Sequence, residues 1–283
     1  MSVLMSSNSD AENEQQRLTA TTPRIALAIK LLTDIFEHHN IPESHGIVHA
    51  LSVTENARRA LDCCTNIPEK RKELILLAAL LHDADDRKYW PRDSRNAESI
   101  LQQVIVDDVD DQGDNDNKQD NQDSIDLVLR MIDYVSCSKN KNSIPSEAID
   151  HPELLYPRYA DRLEALGEIG VFRCWHYAYE KKGDLFLDST PRPKSVEEIY
   201  SAAKGRFEQY HGNYSSMMDH FYDKLLHLAD FSVSGCDNSF FIEEARKRRQ
   251  IIEEVCLHFG LTGQLHPLIE KYEKDAKDGR WSN

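Results

Sequence analysis

An all-α fold is what this sequence predicts, and three observations carry the prediction. Apolar residues recur at three- and four-residue spacing in one segment after another. No segment alternates apolar and polar residues in the manner of a strand, and no internal repeat is present. The third observation is the stretch Leu74 to Asp86, LILLAALLHDADD, an apolar run that ends abruptly in His82 and Asp83. With Leu74, Leu77, Ala78 and Leu81 at helical spacing, it reads as a helix buried on most of its surface.

Taken in order, residues 1–21 are polar, poor in aromatics and without periodicity, which predicts a disordered tail. The first helix is expected from Ile25 to His38, with Ile25, Ala28, Leu31, Leu32, Ile35 and Phe36 on one stripe and Pro23 suited to its first turn. HHNIPESHG breaks it. A second helix is expected from Ile47 to Cys63, with Val48, Leu51, Ala57, Ala60 and Leu61 inward and His49 in its first turn. Glu69 begins the third helix, which delivers His82 and Asp83 at its far end. Trp90 and Pro91 end that pattern, and SRNAESILQQVI restarts it as a fourth helix. Between Asp107 and Asp123 eight Asp stand against one Lys, so this tract carries −7 of the chain's −15. It reads as a solvated acidic loop insertion, because such tracts self-repel and the calcium-loop spacing is absent.

A short helix is expected from Ile125 to Val135, followed by the polar segment SCSKNKNS. Tyr156 to Glu180 reads as one long helical pattern, with Leu163, Leu166, Ile169 and Phe172 on one side and Asp161 near its start. Gly167 and Gly170 each cost about 1 kcal/mol relative to Ala in a helix interior, so they are expected to admit close approach of another helix. KKGDLFLDSTPRPKS is a connection. Two further helices are expected, Ser215 to Phe231, with Met218, Phe221, Leu225 and Leu228 as its stripe, and Ser239 to Phe259, with Gly260 as its C-cap. Residues 261–283 read as a charged C-terminal extension, a terminal helix that frays.

Composition bounds the function. With 283 residues, 40% hydrophobic and 29% charged, the chain is long enough for a sizeable core. Its mean hydropathy of −0.60 points to polar, unpacked segments. A net charge of −15 argues against a nucleic-acid duplex as partner. A local basic pocket for a small phosphorylated ligand, and a homodimeric partner, stay open. No run of about 18 apolar residues suggests a membrane span. The opening MSVLMSSNSDAENEQQ lacks the basic and apolar regions of a signal peptide, so an intracellular, cytoplasmic location is expected. Cys63, Cys64, Cys137, Cys174, Cys236 and Cys256 are scattered without CxxC spacing and read as reduced thiols.

A His-Asp dipeptide at the end of a buried helix is not there for burial, because an unpaired carboxylate in an apolar setting costs several kcal/mol or more. A Lys or Arg partner, or a divalent metal, should sit beside it. Three helices each offer ionisable groups near an end: His49 on the second, His82 with Asp83 on the third, and Asp161 on the long one. Two imidazoles and two carboxylates suit manganese, iron, cobalt, nickel or zinc better than calcium. An ion so held acidifies a water and neutralises a phosphate oxygen. A plainer reading stands beside this one: any single half-buried His is more often a hydrogen-bonded structural residue, as expected for His38, His39, His176 and His258.

HGIVHALSV, LLAALLHDADDRK, SCSKNK and ADRLEALGEIGVFR, in this order, resemble the motif set of the HD-domain metal-dependent phosphohydrolases. The resemblance is to the branch of small bacterial HD proteins with nucleotide pyrophosphohydrolase activity, and HFYDKLLHL is similar to that branch near its end. It spans roughly Thr22 to Gly260 and implies a single HD-domain helical bundle, residues 22–260. It implies His49, His82, Asp83 and Asp161 as ligands of one divalent ion, manganese first, with iron, cobalt, nickel, zinc or magnesium as alternatives. His49 is taken as the ligand because Val53 follows it by four residues, which leaves His45 to line the pocket or orient a ligand. Asp86 matches the acidic residue three positions after Asp83 and is implied as general base or water-positioning group, with Asp85 as the alternative; a residue three along a helix returns to nearly the same face. Lys88, Lys139, Arg162, Arg173 and Lys224 match basic positions and are implied as phosphate-binding groups, each with a surface ion pair as its alternative role. Tyr159 departs from the pattern, which commonly has an acidic residue there.

The implied reaction is hydrolysis of nucleoside or deoxynucleoside triphosphates to monophosphate and pyrophosphate. A 5'-nucleotidase or a phosphodiesterase would use the same ligands with a different pocket. From another class, a non-catalytic metal- and nucleotide-binding module is disfavoured by Asp86, since binding alone needs no general base. A structural ion-pair network without metal is the remaining alternative.

Overall fold

The computed structural model describes residue 18 and residues 22–42, 45–106, 115–231 and 235–277. Helices make up the regular structure of these residues, and no strand occurs among them. The tail expected over 1–21 lies outside the described residues except for Leu18, which is buried. Residues 107–114 of the acidic stretch and 278–283 of the extension lie outside them too. Among the described residues no helix is long and apolar enough to cross a membrane.

The described chain divides into two compact units, residues 22–140 with 144–161 and residues 141–143 with 162–277. The first holds α1 (Pro23–His38), α2 (Ile47–Asp62), α3 (Glu69–Leu81), α4 (Asn96–Val106) and α5 (Asn115–Val135). Thr22 starts α1 by accepting a hydrogen bond from the Ile25 amide at 3.3 Å, with Pro23 fitting the first turn. The centre of the unit is α3, in which every residue from Leu74 to Leu81 is buried. It packs against α1, α2 and α5, while α4 packs against α1 and α5. A helix apolar all round needs neighbours on every side, and α3 has them. Short turns at Cys137–Asn140, Glu147–Asp150 and Pro152–Leu155 then lead into α6 (Tyr156–Glu164), which brings Asp161.

The second unit holds α7 (Gly167–Glu180) and α8 (Val196–Ala203). It continues with α9, made of Met217–His220, a π turn Phe221–Leu225 and Leu226–Leu228, then α10 (Ser239–Thr262) and α11 (His266–Lys277). There α10 packs on α7 and α8, and α11 on α7.

The departures from the sequence pattern have physical causes. The expected long helix over 156–180 is two helices, because Gly167 has φ +70°, a left-handed conformation that ends one helix and opens the next. Gly170 lies against the Ala165 carbonyl of that same turn, whereas Gly167 does admit a neighbour, the Arg248 side chain of α10. Gly260 lies inside α10 and is no cap: a Cβ there would overlap the Pro193 carbonyl, and the helix ends instead at Gly263, φ +70°. The acidic tract expected as loop up to Asp123 is helical from Asn115, supported by Gln119 donating to Asp123 at 2.7 Å, Gln122 to Asp126 at 2.8 Å, and the Lys70–Asp120 ion pair at 2.5 Å. Finally, α8 was not expected within the connection that precedes Ser215. Its Ser195-x-x-Glu198 start is a helix-capping signal, and the Ser195 hydroxyl accepts from the Glu198 amide at 3.3 Å.

Candidate metal centre

Three elements of the first unit deliver the side chains. Gly46 caps α2 and places His49, 6% exposed, in its first turn. His82 follows α3 directly, and the chain then turns tightly, with the Ala84 amide donating to Leu81 O at 3.0 Å and the Asp86 amide to Asp83 O at 3.1 Å. Asp161 comes from α6. The buried Arg158 steadies that helix, since its Nε donates to the Tyr134 carbonyl at the end of α5 at 2.6 Å.

These groups converge. Asp161 Oδ1 lies 3.5 Å from His49 Nε2 and 3.7 Å from His82 Nε2. Asp83 Oδ2 lies 3.5 Å from His82 Nε2, 3.8 Å from His49 Nε2 and 3.1 Å from His45 Nδ1. His49, His82 and Asp161 offer ligand atoms within 4.8 Å of one another, and so do His45, Asp83 and Asp86.

The His82 ring tests the fit of a cation. Its Nδ1 donates to the Ala79 carbonyl at 2.8 Å, which fixes the tautomer and turns the Nε2 lone pair toward the two carboxylates. That Nε2 is buried and makes no hydrogen bond among the described residues. A buried acceptor without a donor is rare and costly, and a divalent ion between imidazoles and carboxylates satisfies it. Electrostatics agree. Burial alone would lower the His82 pKa, but the adjacent Asp83 and Asp161 carboxylates raise it to about 9. Burial works against the charged forms of Asp83 and Asp161 too; the facing imidazoles nevertheless hold both well below the usual carboxylate range. Without an ion the cluster therefore recruits a proton as its positive charge, and a divalent metal would replace it.

The other expected site residues are placed as follows. Asp86 stands with Asp83 and His45, and Lys88 Nζ lies 3.7 Å from its Oδ2. Asp85, the alternative to it, is committed elsewhere: its two oxygens accept from the Asn96 and Ala97 amides at 2.8 and 3.1 Å and cap α4. Lys139 is exposed and pairs with Asp133 at 2.5 Å. In the second unit, Arg162 is 2% exposed and donates to the Lys141 carbonyl at 2.5 Å. Arg173 Nη1 donates to the Glu164 carbonyl at 3.2 Å, and Lys224 sits in the π turn, 5.9 Å from the Tyr210 ring centroid. Two supporting residues escape the sequence reading, Arg158 and Asn96. Asn96 Nδ2 donates to the Ala84 carbonyl at 2.9 Å, so α4 and the His82–Asp86 turn clamp each other. An Asn at a predicted helix start was the available signal for it.

No protein-family model matches the chain. It is 34% identical over 243 residues to the uncharacterized protein L803 of Acanthamoeba polyphaga mimivirus, covering 80% of this chain and 92% of that one. The chain belongs to the same family as L803. Among solved structures, this L803 relative is similar to a protein from Lactobacillus plantarum, with TM-score 0.56 and 23% identity over 84% of this chain and 95% of that one. The Lin1889 protein from Listeria innocua follows with TM-score 0.51 and 17% identity over 83% and 94% of the two chains. An HD-superfamily hydrolase from Bacillus thuringiensis is similar with TM-score 0.50 and 21% identity over 87% and 96%. This L803 relative therefore shares its all-α fold with these three proteins.

Proposed function

We propose that the chain is a metal-dependent phosphohydrolase that acts on a nucleotide and releases pyrophosphate from nucleoside or deoxynucleoside triphosphates. The observation that carries the reading is the convergence of the buried His82 Nε2 with Asp83, Asp161 and His49. His49, His82, Asp83 and Asp161 would hold the ion, which supplies Lewis-acid activation of water and neutralises phosphate charge, and manganese suits this donor set. His45, hydrogen-bonded to Asp83 at 3.1 Å, orients that carboxylate. Asp86, next to Asp83 and outside the helix cap that engages Asp85, positions the attacking water and takes its proton. Lys88, 54% exposed beside Asp86, offers its ammonium to a phosphate oxygen. The likeness in fold to an HD-superfamily hydrolase supports hydrolysis as the reaction class.

Product identification tests this. The protein is incubated with manganese and a panel of nucleoside triphosphates and monophosphates, beside Asp83→Ala. Pyrophosphate plus monophosphate from wild type, absent with the variant, is the expected result. Inorganic phosphate from monophosphates would replace the reading with a nucleotidase, and no turnover with any nucleotide would overturn it.

A further inference from the structure

The loop that follows Asp86 folds into a concavity of about 300 Å³ whose lining includes Asp85, Arg87, Arg92, Arg95, Glu98 and Leu129. None of these belongs to the metal cluster. Consecutive residues here serve different places: Asp86 stands with His45 and Asp83, whereas Asp85 caps α4 and lines the concavity.

The charges do not balance inside it. Across the whole chain 34 Lys and Arg face 49 Asp and Glu, so an arginine has acidic partners in excess. Arg87 and Arg92 nonetheless make no hydrogen bond or ion pair among the described residues. Of the two carboxylates in the lining, Asp85 has both oxygens engaged by the Asn96 and Ala97 amides at 2.8 and 3.1 Å. Glu98 lies 3.8 Å from Arg95, whose Nη1 also donates to the Ser94 carbonyl at 2.8 Å. What remains is a pair of guanidinium groups without an ion-pair partner on a concave surface where three arginines stand against two carboxylates. Planar guanidinium donors match the oxygens of a phosphate, which takes several such hydrogen bonds at once.

We propose that this concavity is an accessory anion site that takes the phosphate group of a small soluble molecule, with Arg87 and Arg92 as its principal contacts. The site is separate from the metal centre and does not rest on the hydrolase reading. Its occupant would bind the loop that joins Asp83 and Asp86 to α4.

The test titrates the metal-loaded protein with inorganic phosphate by calorimetry at fixed ionic strength. Wild type is compared with the Arg87→Ala, Arg92→Ala double variant, with the corresponding double Lys variant, and with Asp83→Ala and His49→Ala. One equivalent of phosphate is expected to bind both metal-ligand variants, and wild type to show that same site beside any phosphate taken by the metal, with its affinity at least tenfold weaker in the double Ala variant and partly restored by Lys. Neither arginine has a partner to lose, so the double variant should melt at the wild-type temperature. Equal affinity in wild type and the double Ala variant would overturn the proposal. So would loss of binding in the metal-ligand variants alone, which would place the phosphate on the metal, or displacement by chloride at equal concentration. Capture of wild type by phosphatidic acid vesicles without any binding of free phosphate would assign the surface to a membrane and overturn it equally.

Discussion

His82 and its neighbours divide their atoms between holding the fold and facing the site. One nitrogen of His82 is tied to Ala79, and the other is kept for the cluster. Asp85 and Asp86 divide the same way. Asp85→Ala should lower stability by about 1 kcal/mol, the usual cost of losing a helix cap, seen as a lower urea midpoint. Asp86→Ala should leave that midpoint nearly unchanged and cut turnover by roughly 10² to 10⁴; the reverse pattern would exchange their roles. Sequence spacing could offer both carboxylates but could not choose between them, since the choice depends on where the Asn96 amide lies. A second residue-scale prediction concerns the buried Asp219 in the second unit. Burial opposes its ionisation, but it accepts from Ser216 at 2.6 Å, Arg206 at 2.7 Å and Thr190 at 2.9 Å, so its pKa is lowered. A carboxylate depressed on folding contributes fully above its ordinary value, and that contribution fades as pH falls through its folded value. Asp219→Asn should therefore cost stability at pH 7, and the gap from wild type should close below about pH 4 in a urea series. A gap that persists there would mean that shape, not charge, sets the cost.

Among the elements, those with apolar stripes were legible and those set by backbone chemistry were not. The stripe of α1 and the all-apolar run of α3 are both where their spacing placed them, and Ile25, Ala28, Leu32 and Phe36 are buried. The break between α6 and α7 escaped because Leu163 and Leu166 keep the helical spacing across it, and only the positive φ of Gly167 betrays it. Gly260 misled for the opposite reason, being a glycine required by a distant neighbour, Pro193, and not by the helix end. Gly260→Ala should thus destabilise by about 3 kcal/mol through forced displacement of that carbonyl. Gly205→Ala, where a Cβ meets no atom within 4 Å, is a control for the cost of a positive φ alone, +76° in this case. Thermal melts of both variants check the difference, and equal losses would remove the role given to Pro193.

At the level of the whole molecule, the metal reading couples ligand to stability. Residues from α2, from the turn after α3 and from α6 meet at one cluster, so an ion there ties together segments more than 100 residues apart in sequence. Manganese at 100 times its dissociation constant should add about 2.7 kcal/mol, read as a rise of several degrees in melting temperature that chelator reverses. His82→Ala should abolish the rise; an unchanged rise in that variant would mean that the ion binds elsewhere. His49, His82, Asp83 and Asp161 were candidates because they lie near helix ends and match a motif set, and the structure brings their side chains together. The distances that make them a set depend on packing, which no single helix encodes.

The central position of α3 also carries a consequence for biosynthesis. Of its neighbours, α1 and α2 precede it in the chain, but α5 is not complete until Val135. During translation at about 5–20 residues per second, the side of LILLAALL that α5 will cover stays uncovered for several seconds. The strongest fold signal in the sequence is thus its stickiest nascent segment, and slowing synthesis between Leu81 and Val135 should raise the fraction of chains lost to aggregation.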